Sequence, residues 1–159
     1  MQPPRFCYNK RAQETLAAFV NGGRFPHALL LEGPEGSGRR TFAREIAAAL
    51  FCRGEHKPCG SCNQCRKVLE QNHPDVEYYG GDGSRRSFHI DTIRQLRQNA
   101  WLLPGEAPCR VCVLCGAENM TDQAQNALLK ILEEPPAHLM FILATTELHK
   151  VPATIKSRC

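Results

Sequence analysis

Residues Leu29–Ala43, LLLEGPEGSGRRTFA, lead an apolar run into a glycine-rich turn and out into a helical pattern. That is the layout of a phosphate-binding loop, G-x-x-x-x-G-K-[ST]. In such a loop backbone N–H groups cradle phosphate oxygens, the lysine reaches the β- and γ-phosphates, and the hydroxyl holds Mg2+. Gly33 and Gly38 stand at the required separation with Gly36 between them, but the next two positions are Arg39 and Arg40, not lysine and a hydroxyl. Arg39 keeps a positive charge for a weak contact to phosphate. Arg40 cannot ligate a metal. Thr41 has a hydroxyl, but one residue further along a helix is a rotation of about 100°, so it points elsewhere. The stretch predicts the scaffold of a nucleotide site with its chemistry damaged.

A second loss falls in the same reaction. The other metal ligand of such a site is an acid that ends a buried strand. Here the run VCVL leads into Cys115 and Gly116, where an aspartate and a further acid are needed to hold Mg2+ and orient the attacking water. Glu118 is acidic but lies past the strand end. The two defects together predict a chain that does not hydrolyse ATP, and leave ATP binding in doubt.

Outward from the loop, elements alternate. Residues 11–21 form a short amphipathic helix that Gly22 and Gly23 terminate. His27 to Glu32 is an apolar strand expected to be buried on both faces, as in parallel sheets. A helix runs from about Arg39 to Phe51. RKVLEQN extends as a helix until His73 and Pro74, DVEYYG is a second strand, and Gly80 to Ser87 reads as a mobile loop. Asp91 caps a helix over TIRQLRQNAWLL, which Pro104 and Gly105 close. CRVCVLC and LMFILATT are buried strands. Between them TDQAQNALLKILEEPP is a helix with Ala124, Ala127, Leu128, Ile131 and Leu132 on one face. VPATIKS begins a last short helix. Strands alternating with helices predict a three-layer α/β domain around a parallel sheet.

Nine cysteines in 159 residues are many for a cytoplasmic protein. Cys52, Cys59, Cys62 and Cys65 supply four thiolates over a short span, enough for a tetrahedral Zn2+ site, with Gly60 permitting a tight turn between ligands. No histidine or catalytic acid stands beside them, so the expected site is closed and structural. Cys109, Cys112 and Cys115 repeat the C-x2-C spacing, but alternation along a strand turns Cys112 away from the other two, and they read as core thiols. Cys7 carries no readable signal.

Composition excludes some classes. The apolar fraction of 42% is that of a globular chain, and no apolar run approaches the roughly 20 residues of a membrane span. Residues 1–10 lack the apolar core of a secretory signal, which makes a cytoplasmic location the expectation. A net charge of +4 is mild. Arg5, Arg11, Arg24, Arg53 and Arg66 are scattered and do not interleave with aromatics, which argues against a zinc-dependent nucleic-acid-binding module.

With these pieces placed, nearly the whole chain resembles the N-terminal AAA+ domain of the bacterial DNA polymerase III clamp loader. HALLLEGPEGSGRRTFAREIAAALFC is similar to that family's loop and first helix, and a four-cysteine module directly after it is a peculiarity of the family. HPDVEYY, IDTIRQLRQNA, TDQAQNALLKILEEPP, FILATT and IKSRC follow in family order. NALLKILEEPP ending in SRC is the most specific part.

The resemblance implies a P-loop NTPase-like (AAA+/RecA-like) domain over 1–159 with a zinc-binding insertion at about 52–72. In the family, a further strand, a lid and a collar domain follow, which makes this chain a fragment. It also implies a role in DNA replication. Five subunits form an open ring, gamma/tau motors with delta and delta-prime, that sets the sliding clamp on primed DNA as part of the polymerase holoenzyme. Motor subunits keep an intact loop and an acidic strand end, whereas delta-prime commonly has both degraded. The departures at Arg39, Arg40, Cys115 and Gly116 resemble delta-prime. Its SRC arginine, here Arg158, is then offered as a finger to ATP on a neighbouring motor subunit. The alternatives are an active gamma/tau-type ATPase, and for Arg158 a plain helix-end cation.

Overall fold

The computed structural model describes residues 9–80 and 88–159. Cys7, Arg5 and the expected loop from residue 81 to Ser87 lie outside them. In chain order the elements are α1 (Lys10–Gly22), β1 (Ala28–Glu32), α2 (Arg39–Phe51), α3 (Asn63–Leu69), β2 (Val76–Tyr79), α4 (Ile90–Ala100), β3 (Arg110–Cys115), α5 (Asp122–Glu133), β4 (Leu139–Thr145) and α6 (Ala153–Lys156). The four strands form one parallel sheet in the order β1-β4-β3-β2. Parallel neighbours cannot be joined by tight turns, so each connection crosses a face of the sheet and carries helices with it.

Those helices cover both faces. Phe42, Ile46, Ala47 and Val68 of α2 and α3 pack on Val111, Val113 and Ile142. On the opposite face Ile93 and Leu96 of α4, Leu128 and Leu132 of α5 and Ile155 of α6 pack on Leu114, Phe141 and Leu143. This is the expected three-layer arrangement. All of β3 and β4 is buried because each has a strand on both sides and helices above and below.

β1 departs from the expectation. Only Ala28 is buried; Leu29, Leu30 and Leu31 are half-buried and Glu32 is exposed. Among the described residues β1 lies at an edge of the sheet, and its apolar run is covered less completely than a central strand would be.

Local chemistry explains the element ends. Asn9 caps α1 through its side chain, which accepts from Ala12 N at 3.0 Å, and Gly23 closes the helix at φ 62°, where a side chain would be strained. Thr121 Oγ1 accepts from Ala124 N at 3.2 Å to start α5. α4 differs from the sequence expectation at both ends. Its N-cap is His89, with no side-chain capping bond, and Asp91 lies in the first turn, where it pairs with Arg94 at 3.1 Å. The helix stops at Ala100, leaving Trp101, Leu102 and Leu103 exposed beyond it.

Candidate functional site

Two groups of residues carry the chemistry. The first is the glycine-rich turn between β1 and α2. Gly33 N donates to Thr145 O at 3.2 Å, which ties the start of the loop to the end of β4. Ser37 N donates to Pro34 O at 3.1 Å, and Gly36 and Gly38 adopt φ 77° and 82°. That turn delivers the chain into α2 at Arg39, the boundary read from the sequence. Arg39, Arg40 and Thr41 occupy the first positions of the helix, all half-buried.

Arg39 and Arg40 open α2, and Cys115 ends β3. Burial pushes the Cys115 thiol above its usual range, opposed in part by the Arg40 and Arg39 charges. Gly116, at φ 85°, turns the chain away at the strand end. Thr41 Oγ1 accepts from Arg44 Nη2 at 3.3 Å, so this hydroxyl is engaged on its own helix. At the positions where a motor sequence carries an ammonium, a hydroxyl and a carboxylate, this one carries two guanidiniums, a thiol and a glycine.

Glu118 lies past the strand end and is engaged through one oxygen. Its Oε1 accepts from Thr146 Oγ1 at 2.7 Å and Thr146 N at 3.3 Å, just past β4. Burial opposes its ionisation, but these bonds outweigh burial and keep the carboxyl below its usual range.

Tyr78, which sequence reading did not single out, packs against the core on the α2 side of the sheet. Its hydroxyl is buried without a hydrogen-bond partner, and burial raises it to about 12 against the pull of Arg44 and Arg40. In VEYY only the register of β2 against β3, Tyr78 beside Val113, shows which tyrosine faces α2.

The second group is the cysteine cluster. Cys52 follows the last residue of α2, Cys59 lies in the connecting loop, and Cys62 and Cys65 frame the first turn of α3. That helix begins at Asn63, three residues before the predicted RKVLEQN segment, because the Cys62 sulfur acts as its N-cap and accepts from Cys65 N at 3.4 Å. All four Sγ atoms lie within 4.8 Å of one another, and Cys59 and Cys65 sulfurs are 4.0 Å apart. A tetrahedral ion with Zn–S of about 2.3 Å spaces its sulfurs about 3.8 Å apart, so the four fit one such ion with a small contraction.

Backbone N–H groups point at these sulfurs. Gly54 N and Cys59 N donate to Cys52 Sγ at 3.3 and 3.4 Å, and Cys62 N donates to Cys59 Sγ at 3.3 Å. Such bonds favour the thiolate, the form that ligates metal. The Cys62 N–H is the largest of several that lower Cys59 to about 6. Space is tight at Gly54: a Cβ there would lie 3.1 Å from Cys59 Cβ and 3.2 Å from Cys59 Sγ. Cys109 and Cys112 stand apart from this cluster. Cys112 packs among the α4–α5 core, whereas Cys115, at the end of β3, and Cys109, just before its start, belong to the core on the other face, as strand alternation required.

The excursion is docked onto the sheet by polar contacts. His73 Nε2 pairs with Gln64 Oε1, its Nδ1 accepts from Asp75 N at 3.0 Å, and its ring lies 4.8 Å from that of Phe51. The Asp75 carboxylate accepts from Gly105, Glu106 and Ala107 N at 2.7, 2.8 and 2.8 Å. Lys67 Nζ reaches Glu106 Oε2 at 2.5 Å.

Arg158, the third expected site, lies just beyond α6. Its Nη2 donates to Glu133 Oε1 at 2.6 Å and its Nη1 to Thr154 O at 2.8 Å. Among the described residues, no helix is long and apolar enough to cross a membrane.

Comparison with known proteins agrees with this geometry. A family model described as DNA polymerase III, delta subunit, matches residues 8–159. The gamma/tau subunit of Mycobacterium tuberculosis is 38% identical over 145 residues, covering 90% of this chain and 25% of that protein. The tau subunit of Escherichia coli is 36% identical over 163 residues, covering 99% and 25%. The chain thus spans about a quarter of the length of these curated relatives. A solved gamma subunit-related protein of Thermotoga maritima superposes with a TM-score of 0.65 at 27% identity, over 91% of this chain and 43% of that one. The Thermotoga maritima RuvB branch migration motor, at 17% identity and a TM-score of 0.52 over 94% of this chain and 41% of its own, shares the fold. A parallel sheet with helices on both faces, a glycine-rich turn into α2, and a match over nearly every residue lead to one assignment: the chain belongs to the bacterial DNA polymerase III clamp-loader family of AAA+ proteins.

Proposed function

We propose that the chain is the AAA+ domain of a delta-prime-type clamp-loader subunit. It does not hydrolyse ATP, and it supplies Arg158 to ATP bound on a neighbouring gamma/tau motor while the ring sets the sliding clamp on primed DNA in the cytoplasm. The observation that carries this reading is the placement of Arg39 and Arg40 at the start of α2, after the glycine-rich turn, with Cys115 and Gly116 at the end of β3. Two cations and a thiol occupy the place where Mg2+ needs a hydroxyl and a carboxylate. Glu118, the nearest acid in sequence, lies past the strand end, where its Oε1 accepts from Thr146. In this reading domain 1–159 precedes a lid and a collar that assemble the ring with delta and the motors. Residues 52–72 form an insertion clipped by one Zn2+ on Cys52, Cys59, Cys62 and Cys65, a structural ion with no part in catalysis.

The gamma/tau identity of the curated relatives favours a second reading, an active motor. Turnover separates the two. The purified chain should show no Mg2+-dependent ATP hydrolysis. In a reconstituted loader, Arg158→Ala should lower the clamp- and DNA-stimulated hydrolysis of the motors. The loss should be partial, because only one of the ring's ATP sites faces this subunit. Arg158→Lys should restore little, since an ammonium lacks the planar fork. Substantial Mg2+-dependent turnover by the wild-type chain would assign it to the motors. A ring with Arg158→Ala that works at the wild-type rate would leave Arg158 as a helix-end cation.

A further inference from the structure

Glu133 is the last residue of α5, and Glu134 and two prolines follow it. A carboxylate at that end faces the negative pole of the helix dipole, a placement the helix itself disfavours. The compensating cation comes from another element. Arg158 Nη2 donates to Glu133 Oε1 at 2.6 Å, while Nη1 donates to Thr154 O at 2.8 Å and lies 3.5 Å from Ser157 Oγ. Ile155 of α6 is buried in the same core as Leu128 and Ile131 of α5, so the anchors on the two helices are fixed relative to each other. The guanidinium is therefore held from two sides by elements that share a rigid base.

Stability does not account for the pair. The two side chains are 32% and 50% exposed, and ion pairs of that kind contribute little to folding. What the contact does is remove freedom. An arginine arm has several rotatable bonds, and an arm that acts on a phosphoryl group across an interface must be immobilised when it acts. A guanidinium has five N–H donors, and the contacts to Glu133, Thr154 and Ser157 leave others for an incoming anion.

We propose that Glu133 is a positioning residue for Arg158: it fixes the plane and reach of the guanidinium before a neighbouring nucleotide arrives. This rests on the reading of Arg158 as a finger acting in trans. It gives the acidic end of LLKILEEPP a task in the ring, performed through Arg158 without touching the nucleotide.

The test is steady-state ATP hydrolysis by a complete reconstituted loader with clamp and primed DNA. It compares wild type, Glu133→Gln, Arg158→Ala and the double variant. Glu133→Gln should lower kcat at the site served by this subunit about two- to tenfold, the range set by the cost of immobilising one long side chain. KM for ATP should stay unchanged, because the finger acts on charge developing in the transition state. Glu133→Asp, with the charge on a shorter arm, should fall between. In the Arg158→Ala background the Glu133→Gln change should have no further effect, which a merely structural role would not produce. An equal loss in both backgrounds overturns the proposal and makes Glu133 a support of the fold. If Glu133→Gln is neutral or faster while Arg158→Ala is slow, the positioning role is overturned and the finger stands. If Arg158→Ala is itself without effect, the finger reading falls and the positioning role falls with it.

Discussion

Replacing Asp75 by alanine removes the acceptor of three backbone N–H bonds, from Gly105, Glu106 and Ala107 at 2.7–2.8 Å. Asp75 is buried at the start of β2, and the loop it gathers leads into β3. Hydrogen bonds to a charged partner contribute about 1.5–3 kcal/mol each, so a naive sum would be about 4.5–9 kcal/mol. Two effects reduce it. The three bonds share one carboxylate and are not additive. Gly105 and Glu106 are exposed, so water can take up their N–H groups once the carboxylate is gone. The expected loss is about 3–4 kcal/mol, or about 6–16 °C in melting midpoint for a domain of this size. Asp75→Asn should recover only part of it, since one carbonyl oxygen remains and the amide NH2 turns donors toward donors.

The pH dependence follows from the direction of the shift. Burial raises the Asp75 carboxyl, but the Gly105, Glu106 and Ala107 N–H groups more than offset this and hold it below the usual range. A depressed native value means that its stabilisation is fully present above the unfolded pKa of about 4 and is lost as pH falls through the native value. The gap between wild type and Asp75→Asn should therefore be constant near neutrality and close in acid. Urea unfolding of both proteins across that range measures it. A loss under about 1 kcal/mol for Asp75→Ala, or a gap that widens in acid, would refute the assignment of these bonds as charge-assisted anchors.

Three further outcomes are expected. Metal analysis after dialysis should give about one Zn2+ per chain, lost in Cys62→Ser and kept in Cys112→Ser, while Gly54→Ala should weaken it by crowding Cys59; full zinc in Cys62→Ser would contradict the ligand set. Arg39→Lys with Arg40→Thr should still not turn over ATP, because Cys115 and Gly116 leave the metal half-held; a coupled phosphate-release assay reads this directly. Gly80→Ala should cost about 2–4 kcal/mol by denaturation, since its Cβ would lie 2.2 Å from Cys115 O and 2.4 Å from the Phe88 ring at a φ of 89°; a neutral result would show that the end of β2 can move.

Features encoded by near neighbours were readable without a structure. The turn from Gly33 to Gly38 and the start of α2 at Arg39 follow from glycine spacing and the helical pattern after it. The buried face of α5 (Ala124, Ala127, Leu128, Ile131, Leu132) follows from a helical period, and the opposed sides of Cys112 and Cys115 from strand alternation. The four cysteines were legible as a cluster because three of them lie within one short turn of one another. Each of these depends on contacts across a few residues, which periodicity and turn chemistry describe.

What the tertiary structure decided were contacts between segments far apart in sequence. The incomplete burial of β1 follows from its edge position in the sheet formed by the described residues, which no single strand reveals. The first turn of α3 was set by a sulfur cap, an acceptor that capping preferences for Ser, Thr, Asp and Asn do not anticipate. Tyr78 packs on the α2 side of the sheet because β2 pairs in register with β3, and a shift of one residue would have placed Tyr79 there instead. Asp75 meets residues 105–107, and Glu133 meets Arg158, only once the sheet has brought their loops and helix ends together. Charges and hydrogen-bonding atoms have no period along the chain, so their partners are fixed only when the apolar faces have packed and set the distances between them.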